Sequence, residues 1–388
     1  MNTTLLMMLA LPIFGSGILF YFMREQLARE FGPVLSLLAI LVGFLPGAFI
    51  VALSFWAAHG YATGDTEIWS GAITGKTRDH GTYERPYDCN CRSITTCSFS
   101  GKNQSCSTAQ QCDTCYETHY TVKWNCQSTI GTFDIDSKDS TYRSVYESPN
   151  PQRWLSIATG DPVSKKMPYT NYVQAVPDSL FKPSSESLKA QFAKMIPMYP
   201  DNVFDIYHVN RFVQVGFSFT DSAAWNQDIN NMLRTLGPVK QVNVIVLVAK
   251  TNDPNYMYAV RDAWEGANKN DVVVLMGSED GQKIEWVDVI SWTKSEIFKV
   301  ELRDSIRELG VIDRAKIMPM IEAQISKNFV RRRMREFEYL STEIDPPTWL
   351  LVSIFVVLCV GYAGGALVSS RVAVGSVSKS KSKSKSYM

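Results

Sequence analysis

Histidines and catalytic motifs are scarce in this chain of 388 residues. Its four histidines are His59, His80, His119 and His208. No G-x-x-x-x-G-K-[ST], G-x-G-x-x-G, G-x-S-x-G or H-E-x-x-H occurs, so the signatures of P-loop enzymes, dinucleotide-binding enzymes, α/β-hydrolases and zinc proteases are missing. The net charge of +1 argues against nucleic-acid binding, which needs a basic surface to neutralise phosphates. The sequence therefore favours a non-catalytic protein.

Charged side chains are also missing from three long apolar runs, Thr4–Met23, Val34–Ala58 and Thr348–Val368. Each has about twenty residues or more, roughly what a helix rising 1.5 Å per residue needs to cross a bilayer core. Arg24 and Arg29 follow the first run and no charge precedes it, an order that is wrong for a cleaved signal peptide. The sequence predicts three transmembrane helices in contact with a lipid bilayer.

Basic residues orient the predicted helices. With three spans, the loop that carries Arg24 and Arg29 lies on the same side as the Lys-Ser tail, 369–388. The positive-inside rule makes that side cytoplasmic, although the cluster Arg331–Arg335 near the last run opposes this orientation. We expect an extracytoplasmic (periplasmic) ectodomain and a cytoplasmic C-terminal tail, in a host or viral membrane.

Two glycine pairs lie within the apolar runs, Gly43 with Gly47 and Gly361 with Gly365. Glycines four residues apart on a membrane helix let a second helix approach closely. The default prediction is packing of helices within one chain. The alternative is self-association or contact with a protein partner.

Seven of the eight cysteines lie between Cys89 and Cys126. The surrounding region, 59–185, alternates in TYTVKWNC and is punctuated by glycine and proline, which predicts a small all-β ectodomain. In an oxidising compartment such cysteines form disulfides. The alternative is a zinc site, because two close thiolate pairs can converge on one metal ion; its candidate ligands are Cys89, Cys91, Cys112 and Cys115. The outward topology favours disulfides over zinc.

From 186 to 345 the pattern becomes that of an α/β domain. Alternating or wholly apolar segments predict strands at Arg211–Phe219, Val242–Ala249, Val272–Met276 and Ile284–Ile290. Capping signals place helices between and after them, the last from Pro319 to about Tyr339. The order β-α-β-α-β-β-α-α predicts helices packed around a partly parallel sheet.

The predicted fold class is an α+β membrane protein with three transmembrane helices, a small cysteine-rich all-β ectodomain and an α/β sandwich domain. The predicted divisions are two N-terminal helices (1–58), the cysteine-rich region (59–185), the α/β domain (186–345), a C-terminal membrane helix (346–368) and a basic disordered tail (369–388).

The order of α/β elements, the strand VNVIVLVA and the hairpin-like DVVVLMGSEDGQKIEWVDVI resemble the TPM domain of membrane-tethered extracytoplasmic proteins. The resemblance covers roughly Phe204–Tyr339. It implies a membrane-tethered phosphatase or metal-dependent hydrolase, because some members are acid phosphatases or bind divalent metals through aspartates. The acidic candidates at predicted strand ends are Asp253, Glu279 and Asp280. A helix cap and a solvated turn are the alternative interpretation of these residues.

A second resemblance covers most of the chain. The segments YDCNCR, CDTCYE, TGDPVS and YTNYVQAVPDSLF are similar to uncharacterised membrane proteins of tailed bacteriophages and some bacteria. That resemblance brings no established activity. We therefore expect a non-catalytic integral membrane protein with an interaction or assembly ectodomain, and a TPM-type hydrolase is the alternative. The candidate zinc is the one cofactor predicted.

Overall fold

A computed structural model describes residues 3–100, 103–141, 149–176, 186–205, 208–344 and 347–364, without the side chains of some helical and strand residues, notably 22–43. The chain divides into two compact units. The first, a helical unit, comprises Met1–Glu67, Pro168–Glu186 and Arg332–Met388. The second, a sheet unit, comprises Ile68–Met167 and Ser187–Arg331. The predicted cysteine-rich and α/β regions each contribute residues to both units.

Two apolar helices make the core of the helical unit. Helix α1 spans Thr3–Thr63 and folds back on itself, since a side chain at Gly47 would contact Pro12. Helix α9 spans Thr348–Gly364. Val51 and Phe55 of α1 are buried together with Ile354 and Leu358 of α9.

The prediction of three transmembrane helices is wrong. Among the described residues, one helical stretch, Phe44–Thr63, is long and apolar enough to cross a membrane. Within the first predicted span, the described apolar stretch Thr4–Ile18 does not meet the length criterion by itself. The last, α9, meets the criterion together with the preceding 3₁₀ helix, Met334–Glu343, from which it is bent by 52°. The described helices therefore supply one candidate span, or two if the bent pair is counted as one.

A 3₁₀ helix replaces the end of the last helix predicted in the α/β region. Helix α8 spans Arg314–Asn328, so it starts before Pro319 and ends well before Tyr339. Its start is capped by Asp313, whose side chain accepts a hydrogen bond from the Ala315 amide. In the helical unit, the 3₁₀ helix packs against the short helix α3, Tyr172–Ala175.

The first sheet holds the cysteines. Its strands are β1 (Gly64–Ser100), β2 (Asn103–Ser128), β3 (Gly131–Thr141) and β4 (Pro162–Thr170), in the order β3-β2-β1-β4. Helix α2, Gln152–Ser156, lies beside it, and Lys76 Nζ donates a hydrogen bond of 2.9 Å to the Trp154 carbonyl of this helix. A small core gathers Ile73, Cys126 and Val163 under one end of the sheet. The prediction of a disulfide-rich β region is confirmed.

The second sheet lies in the predicted α/β region. Its strands are β5 (Phe212–Val215), β6 (Asn243–Lys250), β7 (Asp271–Ser278) and β8 (Trp286–Ser291), in the order β5-β6-β7-β8. The first three are parallel and β8 is antiparallel to β7. The chain is therefore α+β with two sheets.

Helices cover both faces of this second sheet. Alternate residues of β6 face opposite sides: Val246 packs with α5 (Ser222–Lys240), α7 (Glu296–Leu309) and α8, whereas Leu247 packs with α6 (Tyr256–Ala263). The short helix α4, Glu186–Gln191, contributes Leu188 to this second face. The connections β5-α5-β6 and β6-α6-β7 move in the same direction across the sheet. Helices α5 and α6 nevertheless lie on opposite faces of it. One of the two crossovers is therefore left-handed, against the usual preference.

One buried arginine joins the two sheets within the sheet unit. Arg211 is fully buried and donates to Ser70 Oγ at 2.7 Å and Ser164 Oγ at 3.0 Å, both from the first sheet. On its other side it donates to Asn243 Oδ1 at 2.7 Å and to Asn230 Oδ1. Burial lowers the pKa of Arg211 to about 10, and Tyr199 and Asp271 oppose this shift. The guanidinium remains charged at neutral pH and is held by neutral oxygens.

Candidate functional site

A long two-stranded ribbon is the most prominent feature of the sheet unit. Strands β1 and β2 pair in antiparallel register from Ile73 and Ser128 out to Ser100 and Asn103. The described part of strand β3 accompanies β2 as far as the pair His119–Thr141. Beyond the pair Tyr83–His119, the described part of the ribbon has two strands. At roughly 3.4 Å per residue, this part extends about 55 Å.

Three disulfides link the two strands of the ribbon. The pairs are Cys89–Cys115, Cys91–Cys112 and Cys97–Cys106, with Cα–Cα distances of 5.8, 3.9 and 4.0 Å. Cys97 and Cys106 are direct partners in the strand register. The pairing shifts between Cys89 and Arg92, where Asn90 has a φ of 49°, so a β-bulge separates the two inner disulfides. The three links hold a ribbon that buries little apolar surface.

The four candidate zinc ligands form two of these disulfides. Cys89 pairs with Cys115 and Cys91 pairs with Cys112, so in this state the sulfurs have no thiolate to offer a metal ion. The seventh cysteine of the cluster, Cys126, is free and buried in the core under the first sheet. Burial raises the pKa of its thiol, although Lys76 and Arg153 oppose the shift.

Nearly every side chain of the ribbon is exposed. Between Glu84 and Cys97, and between Cys106 and Glu117, only Cys89, Cys112 and Cys115 are half-buried. Tyr87, Ile94 and Tyr116 are among the exposed large hydrophobic side chains. A single pair of strands has two free edges, and free edges present unpaired N–H and C=O groups to other chains. The ribbon is therefore a candidate protein-interaction site.

The base of the ribbon is more tightly organised. His119 is buried, and its Nε2 lies 2.7 Å from Glu117 Oε1. Its ring contacts the ring of Tyr83, the partner residue across the strands, with centroids 5.4 Å apart. These contacts mark the point where the exposed ribbon joins the packed sheet.

The acidic residues predicted at strand ends do lie at the carboxyl ends of β6 and β7, where each makes local contacts. Asp253 Oδ1 accepts from the Asn255 amide at 2.9 Å, and Glu279 Oε1 accepts from Asn252 Nδ2 at 2.6 Å. Asp280 Oδ1 accepts from the amides of Gln282 and Lys283, both at 2.8 Å. Hydrogen bonds from the Lys283 and Gln282 amides, the largest cause, lower the pKa of Asp280. No group of three or more His, Cys, Asp or Glu side chains in the described residues is arranged to hold a metal ion.

The glycines at which the two apolar helices come close differ in part from the predicted ones. A side chain at Gly47 would meet the hydroxyl of Tyr362, and one at Gly15 would meet its ring. Gly361 faces open space. Gly43 lies in the part of α1 whose side-chain environment is not described, and Gly365 lies outside the described residues. Helices α1 and α9 are therefore in close contact where Tyr362 of α9 packs against Gly15 and Gly47 of α1.

No protein-family model, curated protein or solved structure matches this chain. Its function is therefore argued from the ribbon, the helical unit and the cavities of the sheet unit themselves.

The sequence carries a signal for the register of the ribbon. Cys97 and Cys106 are equally distant from the midpoint between residues 101 and 102, and so are Cys91 and Cys112. Residues that pair across an antiparallel hairpin have this mirror spacing. The spacing could have predicted two of the three disulfides.

Proposed function

We propose that this chain is a non-catalytic membrane-anchored protein that uses its disulfide-linked ribbon to bind a protein partner outside the cytoplasm. The observation that carries the proposal is the ribbon itself: two strands, three disulfides and almost no buried side chain. A segment of this kind adds nothing to the core of its own unit. Its rigidity and its free edges suit contact with another molecule.

The disulfides support an extracytoplasmic location. Thiols are kept reduced in the cytosol, whereas disulfides persist in the periplasm, in secretory compartments and on cell or virion surfaces. Three cross-strand links within about thirty residues restrict the ribbon to a single register. A ribbon of this length without a core would otherwise be marginal in water.

The edges of the ribbon support a protein partner. A peptide strand adds to a free edge through main-chain hydrogen bonds, and adjacent side chains supply specificity. Tyr87 and Tyr116 are 47% and 65% exposed beside such edges. Exposed tyrosines offer apolar area together with a hydroxyl group, a combination that is enriched at protein interfaces.

The helical unit supports anchorage in a membrane. The candidate span Phe44–Thr63 keeps most of its surface exposed, including Phe49 and Trp56, which are 66% and 76% exposed. Helix α9 likewise exposes Phe355 and Val360. A large exposed apolar surface of this kind is unfavourable in water and is typical of contact with lipid or protein.

The hydrolase alternative has no comparable support. Asp253 and Asp280 order local turns, and Glu279 is paired with Asn252. Among the described residues, none of the three belongs to a group of three or more His, Cys, Asp or Glu side chains arranged to hold a metal ion.

The proposal is tested by removing the ribbon from the full-length protein. Because Tyr83 and His119 are direct partners, residues 84–118 can be replaced by Asn-Gly, a sequence that closes a two-residue hairpin. We expect the variant to keep the wild-type unfolding midpoint and to lose the protein that co-purifies with the wild type from a mild detergent extract.

A photo-crosslinking amino acid placed at Tyr116 should capture the same partner, and one placed at the exposed Gln282, far from the ribbon in sequence, should not. Retention of the partner by the ribbonless variant would contradict the proposal, and so would a wild-type chain that purifies alone and forms no crosslink.

A further inference from the structure

Away from the ribbon, the sheet unit contains a cavity that is lined by both polar and apolar groups. Its volume is about 510 Å³, within the range of about 300–1,000 Å³ that small-molecule sites occupy. One wall is helix α5, and the others are Asp161 and Pro162 at the start of β4 and the segment from His208 to Asn210 before β5. All of these residues belong to one compact unit.

Helix α5 presents a stripe of carboxamides to this cavity. Its apolar face, with Trp225 and Ile229, packs on the second sheet. A second stripe, at spacings of three and four residues, lines the cavity and consists of Asn226, Gln227, Asn230, Asn231 and Arg234. Residues with this spacing share one side of a helix. The helix therefore joins the sheet by one face and borders the cavity by another.

Two of these carboxamides form the floor of the cavity and have fixed orientations. Asn226 Oδ1 accepts from the backbone amides of Arg211 and Phe212 at 2.6 and 2.9 Å. Asn230 is 9% exposed, and its Oδ1 accepts from the buried Arg211 guanidinium. Because arginine can only donate, the Asn230 oxygen must face Arg211 and its NH₂ group must point the other way. No residue of the described chain accepts from that NH₂ group.

Further polar groups line the cavity without a protein partner. The side chains of Asn210, Gln227 and Asn231 form no hydrogen bond to any residue within the described ranges. A carboxamide has both donor and acceptor atoms, so these three groups offer donors and acceptors, and the Asn230 NH₂ adds further donors. The charged residues of the lining, Asp161 and Arg234, have opposite sign.

We propose that this cavity binds an uncharged saccharide. The balanced charge of the lining disfavours a strongly anionic or cationic ligand. Neighbouring hydroxyl groups of a sugar both donate and accept, which matches the carboxamides, while Pro162 and the His208 ring supply apolar surface for its C–H faces. The proposal concerns a site separate from the ribbon and does not rest on the function proposed for it.

Saturation-transfer NMR on the full-length protein, in a detergent without a sugar headgroup, tests the proposal. The probes are the disaccharides of N-acetylglucosamine, glucose and mannose at millimolar concentration, with a capped triglycine peptide and inorganic phosphate as competitors of different chemistry. We expect transfer to at least one disaccharide. The double variant Gln227→Ala/Asn231→Ala should raise its dissociation constant about tenfold, since two hydrogen bonds are lost.

The matched control is Gln282→Ala, which removes an exposed carboxamide outside the cavity and should leave binding unchanged. Asn210→Ala, on the opposite wall, provides a second test if the double variant unfolds at a lower temperature than the wild type. Absence of transfer to all three disaccharides would overturn the proposal. Binding of the peptide or phosphate alone, or saccharide binding that the cavity variants do not weaken, would overturn it as well.

Discussion

Arg211 and Ser70 are 141 residues apart in the chain, yet Arg211 Nη2 donates a hydrogen bond of 2.7 Å to Ser70 Oγ. Ser70 lies in β1 and Arg211 directly precedes β5, so this contact joins the two sheets. In the continuation of the network, Asn243 Nδ2 donates to Asp271 Oδ1 at 2.9 Å and the Tyr199 hydroxyl donates to Asp271 Oδ2 at 2.6 Å. The nearest carboxylate thus reaches the guanidinium through an amide rather than in a direct ion pair.

Arg211→Met should lower the free energy of unfolding of the sheet unit by about 3 kcal/mol. The substitution keeps the apolar stem but leaves the buried oxygens of Ser70, Ser164 and Asn243 without their donor, and such orphaned groups are costly. Chemical denaturation of the full-length protein measures the change. The control Arg307→Met, on an exposed position of α7, should stay within about 0.5 kcal/mol of the wild type. Equal effects of the two substitutions would contradict the role assigned to Arg211.

The outermost disulfide should stabilise the ribbon alone. Replacing both Cys97 and Cys106 by serine removes a short loop closure, for which a stabilisation of about 2–3 kcal/mol is expected. Amide hydrogen exchange should become faster in the ribbon and remain unchanged in β6 and β7, because the ribbon packs on neither strand. In contrast, Cys126→Ser places a hydroxyl in a buried site and should lower the unfolding midpoint of the unit. A loss of protection in β6 after the ribbon change would show that our separation of ribbon and core is incorrect.

The contact of Tyr362 with Gly15 and Gly47 predicts an asymmetry between glycines. Gly47→Leu should destabilise the helical unit, because any side chain there meets Tyr362 and Pro12. Gly361→Leu should have little effect on the same unit, since nothing lies within 4 Å of the position that its Cβ would occupy. Thermal unfolding in detergent, monitored by circular dichroism, compares the two. Greater destabilisation by the Gly361 change would mean that the helices pack through the other face of α9.

The contribution of Asp288 to the stability of the sheet unit should be more favourable at acidic pH than at neutral pH. Burial raises the pKa of its carboxyl above the ordinary value of 3.8, although the Val289 amide and Arg303 oppose the shift. Below that value both the folded and the unfolded chain are protonated at this position. As the pH rises through the raised native pKa, the unfolded chain has already released its proton, and this contribution to stability is lost.

Asp288→Asn should therefore raise the unfolding midpoint near neutral pH, and its advantage over the wild type should shrink below pH 3.8. Asp304 is the matched control, because a hydrogen bond from Arg303, the largest cause, lowers the pKa of this carboxyl. Asp304→Asn should change the midpoint in the opposite direction at neutral pH. Thermal melts at several pH values measure both variants, and a gain for Asp288→Asn that does not depend on pH would contradict this account.

Local patterns predicted much of the second sheet. The segment Val242–Ala249 was predicted as a strand because it is apolar at nearly every position, and β6 spans Asn243–Lys250. The pair Leu309-Gly310 predicted a helix end, and α7 spans Glu296–Leu309, where Gly310 adopts a φ of 70°. These signals succeed because burial on both faces and the geometry of a helix end leave traces in neighbouring residues. The pattern Thr293-x-x-Glu296 suggested a capping box, but the N-cap of α7 is Ser295.

Contacts between segments that are distant in the chain could not be predicted from local sequence patterns. Burial of Arg211 requires partners from residues 70, 164, 230 and 243, and no local pattern distinguishes it from an exposed arginine. The number of membrane-spanning helices was overestimated because hydropathy measures the length of an apolar run and does not detect a bend such as the one of 52° before α9.

By itself, the sequence determined where the apolar runs, the strands of the second sheet and the cysteine cluster lie, because each depends on residue types close together in the chain. Only the tertiary structure decided the third disulfide, Cys89–Cys115, since register between two strands is a relation between segments and a β-bulge at Asn90 shifts it. It also decided which glycines meet Tyr362 and which carboxamides border a cavity. These features depend on how packed elements face one another, and that orientation is set by the whole core.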